Sequence, residues 1–295
     1  MSETSVISVK NLSQRYGRGR IIYEKLSFEV PKGRILGLLG KNGTGKTTTI
    51  NILMGFLKPQ SGECRIFGED ITSLTPETRS RIALLLEGHV QYSFMTISQI
   101  EKFYSKFYPR WNSEAYYGLM KKLKVTPDQK ISSMSNGQRS QVALGLILAQ
   151  NADLLVLDDF SLGLDPGYRR LFIEYLRDFV KKEGKTVFMT SHIIQDLERL
   201  IDDCIIMDYG KILTQMPVDK LMGTLKRYSY TGGALPKGEG IFSPWSSDEG
   251  NEFYSFISFN EARQMLDSLG IEAKDLKAEA PESLEDAFIG LTGRY

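Results

Sequence analysis

The chain has 295 residues, 41% of them hydrophobic, and a formal net charge of +1. That suffices for one large domain, or one domain plus a small appendix, and the near-neutral balance offers no bulk attraction to nucleic acid or to an anionic membrane surface. The polar start, Met1-Ser2-Glu3-Thr4-Ser5, has no signal-peptide core, no apolar run approaches the ~18 residues that span a bilayer, and Cys64 and Cys204 match no metal spacing. A reducing, cytoplasmic setting is expected, with any membrane role acting through a partner.

In chain order, Val6-Ile7-Ser8-Val9 and Leu26-Ser27-Phe28-Glu29-Val30 have strand composition and are separated by a basic, Gly-containing turn. Pro31-Lys32-Gly33 turns into an apolar strand, Ile35 to Leu39, and a helix-like run extends from Lys46 to about Phe56. Between strand and helix lies Gly40-Lys41-Asn42-Gly43-Thr44-Gly45-Lys46-Thr47, which fits the phosphate-loop pattern G-x-x-x-x-G-K-[ST] at every fixed position. Glycines let the backbone wrap a phosphate with its N–H groups turned inward, and the helix that follows points its positive end at the same charge. Lys46 is expected to reach the β- and γ-phosphates and the Thr47 hydroxyl to ligate Mg²⁺, with Thr48 beside it. A further strand is expected at Glu63 to Phe67. From Ile97 to Gln150 the pattern is helical: Ile100, Phe103, Tyr104, Phe107, Tyr108 and Trp111 recur at helical spacing, either as subdomain core or as a groove for a partner's helix.

The α/β alternation then resumes. Leu154-Leu155-Val156-Leu157, Thr186-Val187-Phe188-Met189 and Cys204-Ile205-Ile206-Met207 are short apolar runs of the kind found in buried parallel strands. Alternating strands and helices imply a mostly parallel sheet covered on both faces. Near residue 230 the composition shifts. Residues 231–240 read as a linker, followed by a strand over Phe253 to Phe259 and two short helices. Asn260 is expected to cap the first helix, and Ser283 with Asp286 to box the second.

Further motifs complete the picture. The apolar strand at 154–157 ends in Asp158-Asp159, a Walker B arrangement that sets Asp158 near Mg²⁺ and lets the next carboxylate face a water. Ser132-Ser133-Met134-Ser135-Asn136-Gly137-Gln138-Arg139 opens a helix before it; Gly163-Leu164-Asp165 and Ser191-His192 follow. In this order and spacing the set resembles the ATP-binding cassette (ABC) ATPases over residues 5–225, and the ending at residues 281–293 resembles that of multidrug and polysaccharide export-type cassettes. The resemblance implies an α/β fold, a P-loop NTPase of ABC type. Its mostly parallel sheet carries an antiparallel β subdomain and a helical subdomain near 97–150. The cassette would span 1–229 and a small C-terminal α+β appendix 230–295.

The resemblance also assigns roles. Gly40 to Thr48 would hold the nucleotide's phosphates, and Tyr16 matches the aromatic that stacks on adenine, a strand-end core tyrosine being the alternative. Ser135, Gly137 and Gln138 match the signature L-S-G-G-Q, with Met134 and Asn136 as departures; Asp165 matches the D-loop and His192 the switch histidine that orients the attacking water. In this family the signature comes from a second cassette, so ATP would be sandwiched between two chains, most simply a homodimer.

Two departures matter. Asp159 stands where most members carry Glu, so the general base is one methylene shorter and hydrolysis is expected to be slow. The Q-loop glutamine, counted back from Thr96-Ile97, falls on Glu87, a metal-ligand candidate, with Gln91 as the alternative. The expected function is an ATPase subunit that binds ATP and Mg²⁺ and drives an integral membrane permease, for export, from the inner face of the membrane. A soluble ABC ATPase acting on DNA or ribosomes is the alternative, and the absence of heptads, the single cassette and the neutral charge speak against a nucleic-acid partner. The tail is expected either to pack on its own cassette or to have a regulatory or dimer-bracing role.

Overall fold

The chain opens with an antiparallel hairpin of β1 (Ser5–Arg15) and β2 (Ile21–Pro31). The computed structural model describes residues 5–17, 19–86, 92–160, 164–191 and 193–293. β3 (Ile35–Gly40) leads through the phosphate loop into α1 (Lys46–Leu53). β4 (Ser61–Ile66) and β5 (Glu69–Asp70) complete a four-stranded antiparallel sheet in the order β2-β1-β4-β5.

After α2 (Pro76–Ser80) and β6 (Ile82–Leu85) comes the helical region. It comprises α3 (Ile97–Tyr104), α4 (Ser113–Lys122) and α5 (Asn136–Ala149). Then follow β7 (Leu154–Leu157), α6 (Pro166–Glu183), β8 (Thr186–Thr190), α7 (Ile194–Glu198), β9 (Asp203–Asp208) and β10 (Lys211–Pro217). The central sheet has the order β10-β9-β3-β8-β7-β6, parallel throughout except for the antiparallel edge strand β10.

Alternation along these strands explains why they sit at the centre. On β3, Ile35 and Leu39 face one apolar cluster while Leu36 and Leu38 face another. The same split separates Leu155 and Leu157 from Leu154 and Val156 on β7, and Val187 and Met189 from Phe188 on β8. Successive side chains on a strand point to opposite faces, so a wholly apolar run is stable only when both faces are covered. Here the antiparallel sheet and α1 cover one face, while α5, α6 and the rest of the helical region cover the other. Gly37 is needed on the second face, where a side chain would stand 2.9 Å from Ile201 Cδ1.

Within the helical region, Thr96 closes a capping box with Gln99, which starts α3. Buried Glu101 accepts from the Trp111 indole at 2.7 Å and the Ser113 hydroxyl at 2.6 Å, which ties α3 to α4. The expected aromatic stripe divides. Tyr104, Tyr108 and Trp111 are partly covered, whereas Phe103 and Phe107 are exposed and stack edge-on with Tyr92 in a surface ladder.

α8 (Val218–Thr224) leads to a third sheet, β12-β13-β11-β14, built from β11 (Lys226–Thr231), β12 (Phe242–Ser247), β13 (Gly250–Ser255) and β14 (Lys274–Glu279). α9 (Phe259–Ser268) covers one face through Ala262 and Leu266, against Tyr228, Tyr230 and Phe253. Two expectations are corrected here. The strand ends at Ser255 rather than at Phe259, and Ser258, not Asn260, caps α9. Ser258 forms a reciprocal box with Glu261, which leaves Asn260 inside the first turn.

The last helix, α10 (Leu284–Thr292), is capped by Ser283, which accepts from Asp286 N–H at 3.1 Å. The Asp286 carboxylate takes its return bond from Glu282 N–H instead of Ser283. Leu284, Ala287, Phe288 and Leu291 join the same apolar cluster as α5, α6 and the inner face of β7. No helix among the described residues is long and apolar enough to cross a membrane.

Candidate functional site

β3, β8 and β7 are neighbours and parallel, so their C-terminal ends emerge side by side. Sheets of this kind place ligands beyond those ends. Gly40 closes β3, Thr190 closes β8, and Asp158-Asp159 follows β7. These ends border a cavity of about 340 Å³ lined by Lys46, Thr47, Thr48, Asp158, Asp159 and Thr190, with Asn42, Gly43 and Gly45 beneath.

The glycines of the loop are required sterically. Gly43 and Gly45 have φ of 77° and 102°, in the left-handed region. A side chain at Gly45 would stand 2.5 Å from Ile22 Cγ2, and one at Gly40 would stand 2.5 Å from Thr44 Oγ1. The Lys46 ammonium folds back over the loop and donates to the carbonyls of Gly40 at 2.7 Å and Lys41 at 3.2 Å. Burial pulls its pKa below the usual lysine range, and the charges of Asp159 and Asp158 pull it back.

Asp158 is 2% exposed and held from two sides. Thr190 donates its hydroxyl to Asp158 Oδ1 at 2.6 Å, and Thr47 donates to the same oxygen at 3.4 Å. The two hard oxygens of Thr47 and Asp158 thus meet at one edge of the cavity, a donor pair suited to Mg²⁺ that keeps other ligands from solvent or phosphate. Asp159 adopts φ of 48°, a left-handed conformation that Asp enters more readily than longer side chains. Its N–H donates to Thr190, with O and Oγ1 each at 3.2 Å.

Tyr16 borders the cavity, its hydroxyl 3.2 Å from Thr48 Oγ1. It is 49% exposed, so it is not a core tyrosine. Lys41 and Thr44 line the adjoining cavity, next to Asp208 and Tyr209. Ser135, Gly137 and Gln138 are not brought to the phosphate loop. Ser135 caps α5 in a reciprocal box with Gln138, and Gly137 sits where a side chain would stand 2.3 Å from the Tyr168 ring. Asp165 stands at the N-cap position of α6 without a side-chain cap bond, exposed and likewise away from the cavity. Glu87, Gln91 and His192 lie outside the described residues.

Sequence reasoning missed three residues at the cavity. Thr190 ends an apolar strand just before Ser191-His192, and its polar character there was the available signal. Ile22 is strand-like and packs against the loop. Arg20 donates to the Gly43 carbonyl at 2.9 Å, and a basic turn carried no sign of that contact.

Comparison with known proteins agrees with this geometry. The family profile described as ABC transporter matches residues 23–161. The Nod factor export ATP-binding protein I of Burkholderia lata is 28% identical over 302 residues, covering 98% of this chain and 97% of that protein. The bacitracin transport ATP-binding protein BcrA of Bacillus licheniformis is 29% identical over 227 residues, 76% of this chain and 74% of that one. Among solved structures, an ATP-binding subunit of an ABC transporter aligns with a TM-score of 0.65 at 24% identity, covering 74% of this chain and 92% of its own. A dimeric ATP-binding cassette bound to ADP and phosphate aligns at 0.61 and 20% identity, with 72% and 98% covered. Residues 23–161 are thus similar to the ABC transporter family, and the chain shares the fold of solved ABC ATP-binding subunits.

Proposed function

We propose that this chain is the ATP-binding and ATP-hydrolysing subunit of a membrane exporter, working as a pair of cassettes beneath a separate permease. One observation carries the reading: Lys46, Thr47, Asp158 and Asp159 line a single cavity with Tyr16 at its rim. The loop's N–H groups and Lys46 bind the phosphates, and Tyr16 stacks on the base. Thr47 and Asp158 would hold Mg²⁺, with Glu87 as a further candidate, and the ion would supply neutralisation of the phosphate charge. Asp159 takes the proton of the attacking water, and His192 is the candidate that orients that water.

Exposed Ser135 caps α5, and Gly137 lies buried against the Tyr168 ring in its first turn. They would complete the partner cassette's site, and the partner's signature would complete this one. Closure on ATP and reopening after hydrolysis would move the permease, whose helix would dock on the exposed ladder of Tyr92, Phe103 and Phe107. Asp159 makes turnover slow relative to binding. The similarity to a Nod factor export ATP-binding protein supports export rather than import. The chain would sit at the inner face of the membrane through that permease.

The test is light scattering of the Asp159→Asn variant with MgATP and with MgADP, alongside phosphate release by the wild type. ATP-dependent dimers and measurable release are expected. A wild type that neither binds nor hydrolyses ATP refutes the reading, and co-purification with ribosomes or DNA rather than an integral membrane protein refutes the transport role.

A further inference from the structure

Lys41 occupies a variable position of the phosphate loop, yet the loop is organised around it. Its carbonyl accepts from Thr44 N–H at 3.3 Å, from the Thr44 hydroxyl at 2.9 Å and from the Lys46 ammonium at 3.2 Å. Its own ammonium leaves the loop and donates to the Thr292 carbonyl at 2.6 Å, 251 positions away. Thr292 is the last residue of α10. Carbonyls at a helix C-terminus lack intrahelical partners and carry the negative end of the dipole, so a cation there is favoured. Lys41 lines the cavity beside Asp208, not the phosphate cavity.

α10 is itself firmly seated. Leu284, Phe288 and Leu291 are buried in the cassette core. Tyr254 donates its hydroxyl to Asp286 at 2.8 Å, and Gly290 lies so close to that ring that a side chain would stand 2.4 Å from it. Gln195 on α7 donates to Glu285 at 2.9 Å, which adds a tie from the segment after β8.

We infer that Lys41 is a positioning residue: its bond to the end of α10 makes the C-terminal helix a brace for the phosphate loop, and so a determinant of nucleotide affinity. The inference rests on the nucleotide reading above and assigns part of that affinity to the tail. A brace works in both directions, because coupling between two sites is reciprocal. Nucleotide that orders the loop therefore also holds down the last turn of α10.

The test is calorimetric titration of the full-length chain with MgADP. Lys41→Met is expected to weaken binding roughly tenfold, the scale of a partly buried charge at a helix end, and Lys41→Arg to restore it to within about twofold. Gly290→Ala pushes α10 off Tyr254 without touching the loop, and it too is expected to weaken binding. The double variant should bind no more weakly than Lys41→Met alone, since both changes break one connection. A direct phosphate contact by Lys41 predicts additive losses instead. Hydrogen exchange at amides 290–293 should slow when MgADP is added to the wild type. Wild-type affinity in Lys41→Met, additive losses, or exchange indifferent to MgADP overturns the inference while leaving the nucleotide reading intact. A wild type that binds no MgADP overturns both.

Discussion

Thr190→Val removes one oxygen from the most buried part of the site and almost nothing else. Thr190 is 1% exposed, and Val matches its shape with a methyl in place of Oγ1. Two bonds go. Asp158 Oδ1 loses its 2.6 Å donor and keeps, among the described residues, the 3.4 Å contact from Thr47. Asp159 N–H loses Oγ1 but keeps the Thr190 carbonyl at 3.2 Å. The first loss dominates, because a buried bond to a charged group is worth about 1.5–3 kcal/mol, and its partner is left in a nearly dry site. For a chain of this size each kcal/mol moves Tm by about 2–4 °C, so calorimetry should record a drop of roughly 3–12 °C. Asp158 then swings more freely, and Mg²⁺-dependent ATP affinity should fall several-fold, while Thr190→Ser restores both. Thr190→Val with wild-type Tm and wild-type Mg²⁺ dependence would refute the argument that Asp158 is positioned by Thr190.

Asp159→Glu should raise kcat by up to about tenfold in a phosphate-release assay and lower Tm by about 2–4 °C, because Glu enters the left-handed region at φ 48° less easily; no gain in kcat would mean that the shorter base is already well placed. Asp153 accepts from Arg81 and Arg110 at 2.7 Å each, and those bonds hold its pKa down at about 2. A depressed carboxylate stabilises above its unfolded pKa of about 3.9 and loses that contribution as pH falls through its folded value. Asp153→Asn should therefore cost about 1 kcal/mol at pH 7, after discounting for partial exposure, and a denaturation gap that persists unchanged below pH 2 would contradict this. Burial pushes the Cys204 thiol up to about 12 and the Cys64 thiol to about 11, so both should resist Ellman's reagent at pH 8 until the chain unfolds; rapid native labelling would show one of them to be accessible.

The parts of the fold legible in the sequence are those whose chemistry is local or doubly buried. β7 and β8 announce themselves because a strand covered on both faces must be apolar throughout. The phosphate loop is legible because its glycines answer a steric demand, as Gly45 does against Ile22 and Tyr23. Edge strands carry no such signature. β14, Lys-Asp-Leu-Lys-Ala-Glu, has helix-forming residues, yet it pairs with β11 because the third sheet needs an edge there and tertiary pairing overrides propensity. β12 contains Pro244 and exposed polar residues, tolerable only at the edge it occupies. The cap of α9 lies two residues before Asn260 because Ser258 and Asn260 are both good caps, and only Glu261 facing back to Ser258 decides between them. The Lys41 bond was invisible because its acceptor is a backbone carbonyl, which no side-chain pattern encodes.

The phosphate loop is the place where both packed faces of the central sheet end. Leu38 fixes the end of β3 from the hairpin side and Leu39 from the helical side, immediately before Gly40. Ile22 and Tyr23 press on Gly45 from the hairpin side. Leu157 belongs to the helical side, and it delivers Asp158 to the same cavity. α10 draws its own position from that cluster and returns it to the loop through Lys41. Displacement of either layer must therefore move one wall of the site against the other, since close-packed interiors transmit strain rather than absorb it. A chain built this way needs no separate relay to make its phosphate loop sensitive to its tail and its helical region: both are already part of the packing that shapes the loop.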